Sequence, residues 1–160
     1  MIKILKNPIV KTILSMLAVA VFGFILLNIT FIFDAIYQGI IDWIIKLFTP
    51  VDINTTWYWF PPLKHTLFVI IIGIISWFVF KSKLKTIYKA IFMTVPLATV
   101  FLTIGMFLYR WPLAAYLLGS LFALGFLYYL YKKKAHWLYY FALILISLVM
   151  LLVGLLGVEI

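Results

Sequence analysis

The amino-acid sequence predicts an all-α, polytopic membrane protein: a bundle of five transmembrane helices plus one amphipathic helix. Of its 160 residues, 68% are hydrophobic and only 11% are charged, whereas a soluble domain carries roughly a quarter charged residues. Five stretches are long and apolar enough to cross the roughly 30 Å of bilayer hydrocarbon. The lysines cluster at the ends of these stretches, as is typical of membrane proteins.

The five predicted spans form a single integral membrane domain over residues 1–160. They cover approximately 12–33, 63–80, 90–109, 113–131 and 137–157. Cytoplasmic loops are enriched in Lys and Arg, so the N-terminus is expected in the cytoplasm and the C-terminus outside. In this orientation the cytoplasmic side carries the lysines of the groups Lys3–Lys11, Lys81–Lys89 and Lys132–Lys134. The outer side carries Lys46, Lys64 and Arg110. The expected location is the cytoplasmic membrane of a prokaryotic cell.

Residues 34–48, "DAIYQGIIDWIIKLF", are predicted to form the amphipathic helix. At 1.5 Å per residue this helix is only about 22 Å long, too short to span. Asp34, Gln38, Asp42 and Lys46 recur at every fourth residue, so they share one face. Two interpretations stay open. The helix lies in the outer interface with this face toward water, or it re-enters the membrane with this face lining a wet cavity.

A candidate ligand-binding rim is predicted at the outer ends of the spans. The stretch "DINTTWYWFPPLKH" (52–65) is rich in aromatic residues, which anchor proteins in the headgroup layer. Charged residues lie close to it in the predicted topology. Together the rim comprises Asp34, Trp57, Trp59, Lys64, His65, Arg110 and Trp111. Lys, His and Arg beside aromatic rings suit the phosphate of a lipid or lipid-like molecule. The alternative interpretation is that these residues are ordinary headgroup-facing anchors.

Several kinds of chemistry are not expected. The chain has no cysteine, and neither His belongs to a metal-ligand spacing. We expect no metal, no cofactor and no nucleic-acid partner. No ionisable residue falls in the middle of a predicted span, which argues against an ion pump. Ala115, Gly119 and Ala123 form a stripe of small residues that allows close helix packing, within the bundle or between copies of the chain.

The leading functional hypothesis is a non-enzymatic protein that binds or moves a hydrophobic or lipid-like molecule through an outer-facing groove. The expected partners are the lipid bilayer, such a ligand, and a second copy or another membrane subunit. One alternative is an accessory subunit of a larger membrane complex. A second is an intramembrane enzyme in which His65 and Asp34 form a general base and Arg110 holds a lipid phosphate.

Overall fold

The computed structural model describes residues 7–49 and 59–156, and within these ranges the chain is all-α, without strands. The helices are α1 (Pro8–Phe48), α2 (Phe60–Lys81), α3 (Thr86–Phe107), α4 (Pro112–Lys132) and α5 (Trp137–Leu155). Each is long and apolar enough to cross a membrane. The prediction of a helical membrane bundle with five spanning helices is therefore confirmed.

The helix ends have local causes in the sequence. The Asn7 side chain caps α1 by accepting a hydrogen bond from the backbone N–H of Ile9 at 3.0 Å. His136 caps α5 by accepting from the backbone N–H of Leu138 at 3.3 Å. Proline stands in the first turn of α1, α2 and α4, where its missing N–H costs no helical hydrogen bond. These signals explain why each predicted span falls close to an observed helix.

The separate amphipathic helix over 34–48 is the fold prediction that was wrong. Residues 34–48 continue the first span without a break, and α1 is a single helix of 41 residues, about 62 Å long. Between Pro8 and Pro50 no proline interrupts it, and an isolated glycine such as Gly39 is tolerated in a helix at a cost of about 1 kcal/mol. Neither the interfacial nor the re-entrant interpretation therefore describes this segment.

The central helix of the bundle is α3, which packs against all four others. One apolar core joins α3 to α1, α4 and α5, with Val19, Ala90 and Ala142 fully buried. A smaller cluster formed by Phe68, Ile72 and Val95 joins α2 to α3. The depth of each α1 residue is therefore set by how α1 contacts α3.

The contact that sets this depth is the close approach of α1 to α3 at Gly23. A Cβ atom built at Gly23 would lie only 2.8 Å from Cγ2 of Thr94. Thr94 is fully buried, and its hydroxyl donates to the backbone carbonyl of Ile91 at 2.7 Å. Only a residue without a side chain allows the two helices to come this close, as small residues do at membrane helix interfaces.

We predict that Gly23→Ala destabilises the protein, because the new methyl group would overlap Thr94. Overpacking of this kind costs about 1–3 kcal/mol. Gly73→Ala is the matched control, since a Cβ there meets nothing within 4 Å and the gain in helix propensity is the same. Thermal unfolding in neutral detergent compares the two variants. Adding Thr94→Ser, which removes Cγ2, should restore stability to Gly23→Ala; equal melting of the two single variants would contradict the contact.

Candidate functional site

Polar and charged side chains gather at one end of the bundle, between α1, α2 and α3. We call the end that carries the 81–89 and 132–134 lysines the lysine-rich end, and the other end the opposite end. The polar cluster lies at the opposite end. Its members are Asp34, Gln38, Asp42, Lys64, His65 and Thr103.

A salt bridge joins α1 to α2 within the polar cluster. Lys64 Nζ lies 2.7 Å from Asp42 Oδ1, and Lys64 is only 3% exposed. The ammonium also lies 5.2 Å from the centre of the Phe60 ring, a favourable cation–π distance. Because a buried charge requires a partner, Asp42 neutralises Lys64. The lysine therefore carries no unpaired charge for a phosphate group.

His65 is held by hydrogen bonds that run into α3. Its Nε2 lies 3.0 Å from the hydroxyl of Thr103. That hydroxyl donates its single proton to the backbone carbonyl of Thr99 at 2.6 Å. Thr103 must therefore accept from His65, so His65 carries its hydrogen on Nε2 when it is neutral.

Asp34 is the member of the polar cluster with an unused acceptor. Its Oδ2 accepts from Gln38 Nε2 at 3.0 Å. Its Oδ1 is buried and, among the described residues, has no hydrogen-bond partner. Asp34 lies close enough to His65 for the two to interact electrostatically. A buried carboxylate oxygen without a donor is costly, so this atom marks the position where a donor group would be stabilised.

The polar cluster lies about one helical turn inside the bundle. Thr103 stands four residues before the end of α3 at Phe107, and His65 five residues after the start of α2 at Phe60. Both are thus about 6–8 Å from the opposite end. His65 and Thr103 therefore lie between the helix ends and the apolar middle of the bundle.

Aromatic rings border the polar cluster toward the middle of the bundle. The Phe68 ring lies 6.1 Å from that of Phe33 and 5.9 Å from that of Tyr37. Phe68 is buried, whereas Phe33 is 47% exposed on the lipid-facing surface. Phe33 precedes Asp34 in the chain, and Tyr37 stands three residues after it, on the same side of the helix. The three rings therefore form an aromatic surface next to Asp34 in the chain, and Phe33 is its exposed part.

Of the predicted rim, the structure brings together Asp34, Lys64 and His65. Arg110 is exposed, and its Nε donates to the hydroxyl of its neighbour Tyr109 at 2.6 Å. Trp111 is 70% exposed, and Trp59 stacks edge-on against Phe60. Trp57 lies outside the described residues. No contact joins Arg110 or Trp111 to the polar cluster in the described part of the chain, so the predicted convergence of Arg110 with His65 does not occur there.

The enzyme hypothesis requires an oriented base, and this arrangement is incomplete. In a Ser–His–Asp type of site, the carboxylate accepts a hydrogen bond from the second ring nitrogen of the histidine. Here Asp34 Oδ1 accepts no such bond. Arg110, the residue expected to hold a phosphate, is exposed and bonded to Tyr109.

Three members of the polar cluster were not among the site residues predicted from the sequence. Thr103 was not included in the rim, although its hydroxyl is the direct partner of His65. Gln38 and Asp42 were placed correctly on one face with Asp34, but that face was expected to meet water or a wet cavity. It instead meets α2, through the salt bridge from Asp42. A histidine and a hydroxyl one turn inside neighbouring spans are the signal that could have indicated this pairing.

The predicted helix-packing stripe on α4 is divided between two contacts. Gly119 is buried, and a Cβ built on it would lie 3.6 Å from the Phe101 ring of α3. Ala123 instead lines an apolar cleft of about 220 Å³ between α4 and α5, together with Leu127, Leu143 and Ser147. This cleft contains no charged group, and its one polar side chain, Ser147, has a buried hydroxyl without a hydrogen-bond partner among the described residues.

Together, the fold and the polar cluster define a multi-pass helical membrane protein with a polar site at one end of its bundle. No family model matches the chain, and no curated protein or solved structure shows a significant similarity to it.

We predict that Lys64→Met destabilises the protein, because it leaves the Asp42 carboxylate without its cation. Removing one partner of a buried pair costs about 3–5 kcal/mol. The Asp42 side chain is 28% exposed, so we expect about 1–3 kcal/mol. Lys46→Met, at an exposed lysine of α1, is the control. Thermal unfolding should show that adding Asp42→Asn recovers part of the loss; no recovery would argue against the salt bridge.

Proposed function

We propose that this protein binds an amphiphilic molecule in the membrane, with the molecule's polar head in the polar cluster and its tail against the neighbouring aromatic surface. The observation that supports this most directly is the buried Oδ1 of Asp34, which lacks a hydrogen-bond donor among the described residues. A head that donates a hydrogen bond would satisfy it and recover the cost of burial.

The charges in the polar cluster favour a hydrogen-bond-donating head over the phosphate that the sequence suggested. Phosphate sites are built from unpaired Arg and Lys side chains. Lys64 is paired with Asp42 at 2.7 Å, and Arg110 makes no described contact with the cluster. The group that lacks a partner is an acceptor, Asp34. A hydroxyl, an amine or an ammonium therefore fits this site better than an anion.

The tail of such a molecule can follow the aromatic surface into the lipid. Phe33 is exposed on the lipid-facing side, and its ring packs against that of Phe68. A tail that is already in lipid gains no hydrophobic burial on contacting the protein, so its contact with Phe33 contributes van der Waals packing. The head bound at Asp34 would then set the depth of the molecule, without an enclosed pocket.

The accessory-subunit alternative drew on two features, the small-residue stripe of α4 and the lack of catalytic motifs. Gly119 of that stripe contacts Phe101 of α3 within the same chain. Amphiphile binding is favoured because it uses the one buried side-chain oxygen of the described polar cluster that has no hydrogen-bond partner.

The proposed orientation places the lysine-rich end in the cytoplasm and the polar cluster in the outer half of a prokaryotic cell membrane, following the distribution of Lys and Arg. Single cysteines test this, because the chain has none of its own. In intact cells, Tyr109→Cys should react with an impermeant maleimide. Leu84→Cys and Lys133→Cys should react only after permeabilisation. The reverse pattern would show that the orientation is wrong.

We predict that an amphiphile co-purifies with the protein in mild neutral detergent and is detected by native mass spectrometry. Asp34→Leu should abolish this binding, because it removes the acceptor while keeping an apolar side chain that the membrane tolerates. Arg110→Ala is the control and should retain the ligand, since Arg110 is exposed and bonded to its neighbour Tyr109.

Loss of the ligand in Arg110→Ala but not in Asp34→Leu would overturn the assignment of the binding site to Asp34. It would indicate that the ligand binds instead at the predicted rim around Arg110. A protein that carries no small molecule but a second, different membrane chain would overturn the proposed function and support the accessory-subunit alternative. Circular dichroism and gel filtration of each variant establish that it is folded before its spectrum is interpreted.

A further inference from the structure

We propose that the headgroup bound at Asp34 is an ammonium, and that it binds in exchange for a proton carried by His65. This inference rests on the proposed function and names its ligand class. It follows from three features of the polar cluster: a carboxylate without a donor, aromatic rings beside it, and a histidine whose hydrogen-bonding state is fixed by α3.

The surroundings of Asp34 suit a positive charge. Its Oδ1 is buried without a donor among the described residues, and a carboxylate forms its strongest hydrogen bonds with charged donors. The Phe33 and Tyr37 rings lie 6.1 Å and 5.9 Å from the Phe68 ring, centre to centre. Phe33 and Tyr37 flank Asp34 on α1. Aromatic faces attract ammonium groups, by about 2 kcal/mol or more where water is excluded.

His65 controls whether Asp34 is available. Because Thr103 donates its proton to Thr99, neutral His65 donates its only N–H, the one on Nε2, to Thr103. Its other ring nitrogen, Nδ1, then carries no hydrogen and gives Asp34 no donor. Protonation places a hydrogen on Nδ1 and a positive charge on the ring, which interacts electrostatically with Asp34. An imidazolium therefore offsets the charge of the same carboxylate that an ammonium head would bind.

The other charged groups around Asp34 do not take part in this competition. On α2, Lys64 is neutralised by Asp42 of α1. On α1, Gln38 is neutral and Tyr37 packs on Phe68. In α3, the only charged residue is Lys89, in the first turns at the lysine-rich end. Asp34 thus has a single charge to offer, and either a proton on His65 or a ligand ammonium can neutralise it.

The exchange is balanced in charge. One ammonium enters, one proton leaves His65 for water, and the cluster keeps its net charge. Binding should therefore weaken as the pH falls through the titration of His65, because the protonated form competes. Below that point the affinity should fall about tenfold for each pH unit, and above it the affinity should be constant.

The experiment uses the full chain in a neutral maltoside detergent, with dodecylammonium, the protonated form of dodecylamine, as the probe. The neutral isostere dodecanol, in which a hydroxyl replaces the ammonium, is the matched ligand control. Isothermal titration calorimetry in two buffers of different ionisation enthalpy counts the protons released. Native mass spectrometry with added ethanolamine phospholipid tests whether a membrane lipid can supply the ammonium; binding of the probe alone would point to a soluble amphiphilic amine.

We expect the probe to bind at least tenfold more tightly than its neutral isostere, with about one proton released at acidic pH. Asp34→Asn should remove the preference for the charged probe. His65→Gln keeps an N–H donor for Thr103 but cannot be protonated, so it should bind the probe with no pH dependence and no proton release. If Asp34→Asn does not fold, calorimetry of the wild-type protein with the probe and its isostere still tests the preference for the charged head and the proton release.

The outcomes separate this inference from the proposed function. Equal affinity for the probe and its isostere would overturn the ammonium assignment, while Asp34-dependent binding of another amphiphile would leave the proposed function intact. Tight probe binding without proton release, or pH dependence that persists in His65→Gln, would overturn the exchange. No amphiphile binding of any kind would overturn both.

Discussion

The contact between α1 and α3 at Gly23 and Thr94 determines where the polar groups of α1 lie. The two helices run in the same direction. Residues that follow Gly23 in α1 and residues that follow Thr94 in α3 therefore approach the same end of the bundle. Asp34 stands eleven residues after Gly23 and Thr103 nine residues after Thr94, which corresponds to about 16 Å and 14 Å along the helices. Asp34 therefore reaches the level of Thr103 and its partner His65. Since the contact requires a residue without a side chain at position 23, the composition of the polar cluster depends on a glycine far from it.

Much of the fold could be predicted from the sequence because a membrane restricts what a chain can do. Backbone groups in hydrocarbon must be paired internally, so a long apolar run becomes a helix. All five spans were found in this way. The continuity of α1 through residues 34–48 could not be predicted, because the polar residues there suggested that the membrane segment had ended. Helix continuity depends on the absence of a breaker rather than on hydropathy, and the next proline is Pro50.

The candidate site could be predicted only in part, for a related reason. The four-residue spacing of Asp34, Gln38 and Asp42 correctly placed them on one face. Which neighbour that face meets is a matter of helix packing, and the sequence contains no local signal for it. Lys64 and His65 were recognised as site residues because they stand at the outer end of a predicted span, in the aromatic stretch. Arg110 was grouped with them because it lies at the same end, but a shared depth does not place side chains on the same side of a bundle.

The depth of the polar cluster bears on whether the proposed ligand would be bound or moved across the membrane. Nearer the middle of the described helices, Ser76 donates to the backbone of Ile72 at 2.7 Å and Thr99 to that of Val95 at 2.9 Å, whereas the buried Ser147 hydroxyl has no partner among the described residues. No described ionisable group connects the polar cluster with the lysine-rich end through the bundle. A proton released by His65 thus has a short path to water at the opposite end and no comparable path through the middle. Because the ligand's head and the proton would enter and leave on the same side, the arrangement favours a binding protein over one that moves its ligand across the membrane.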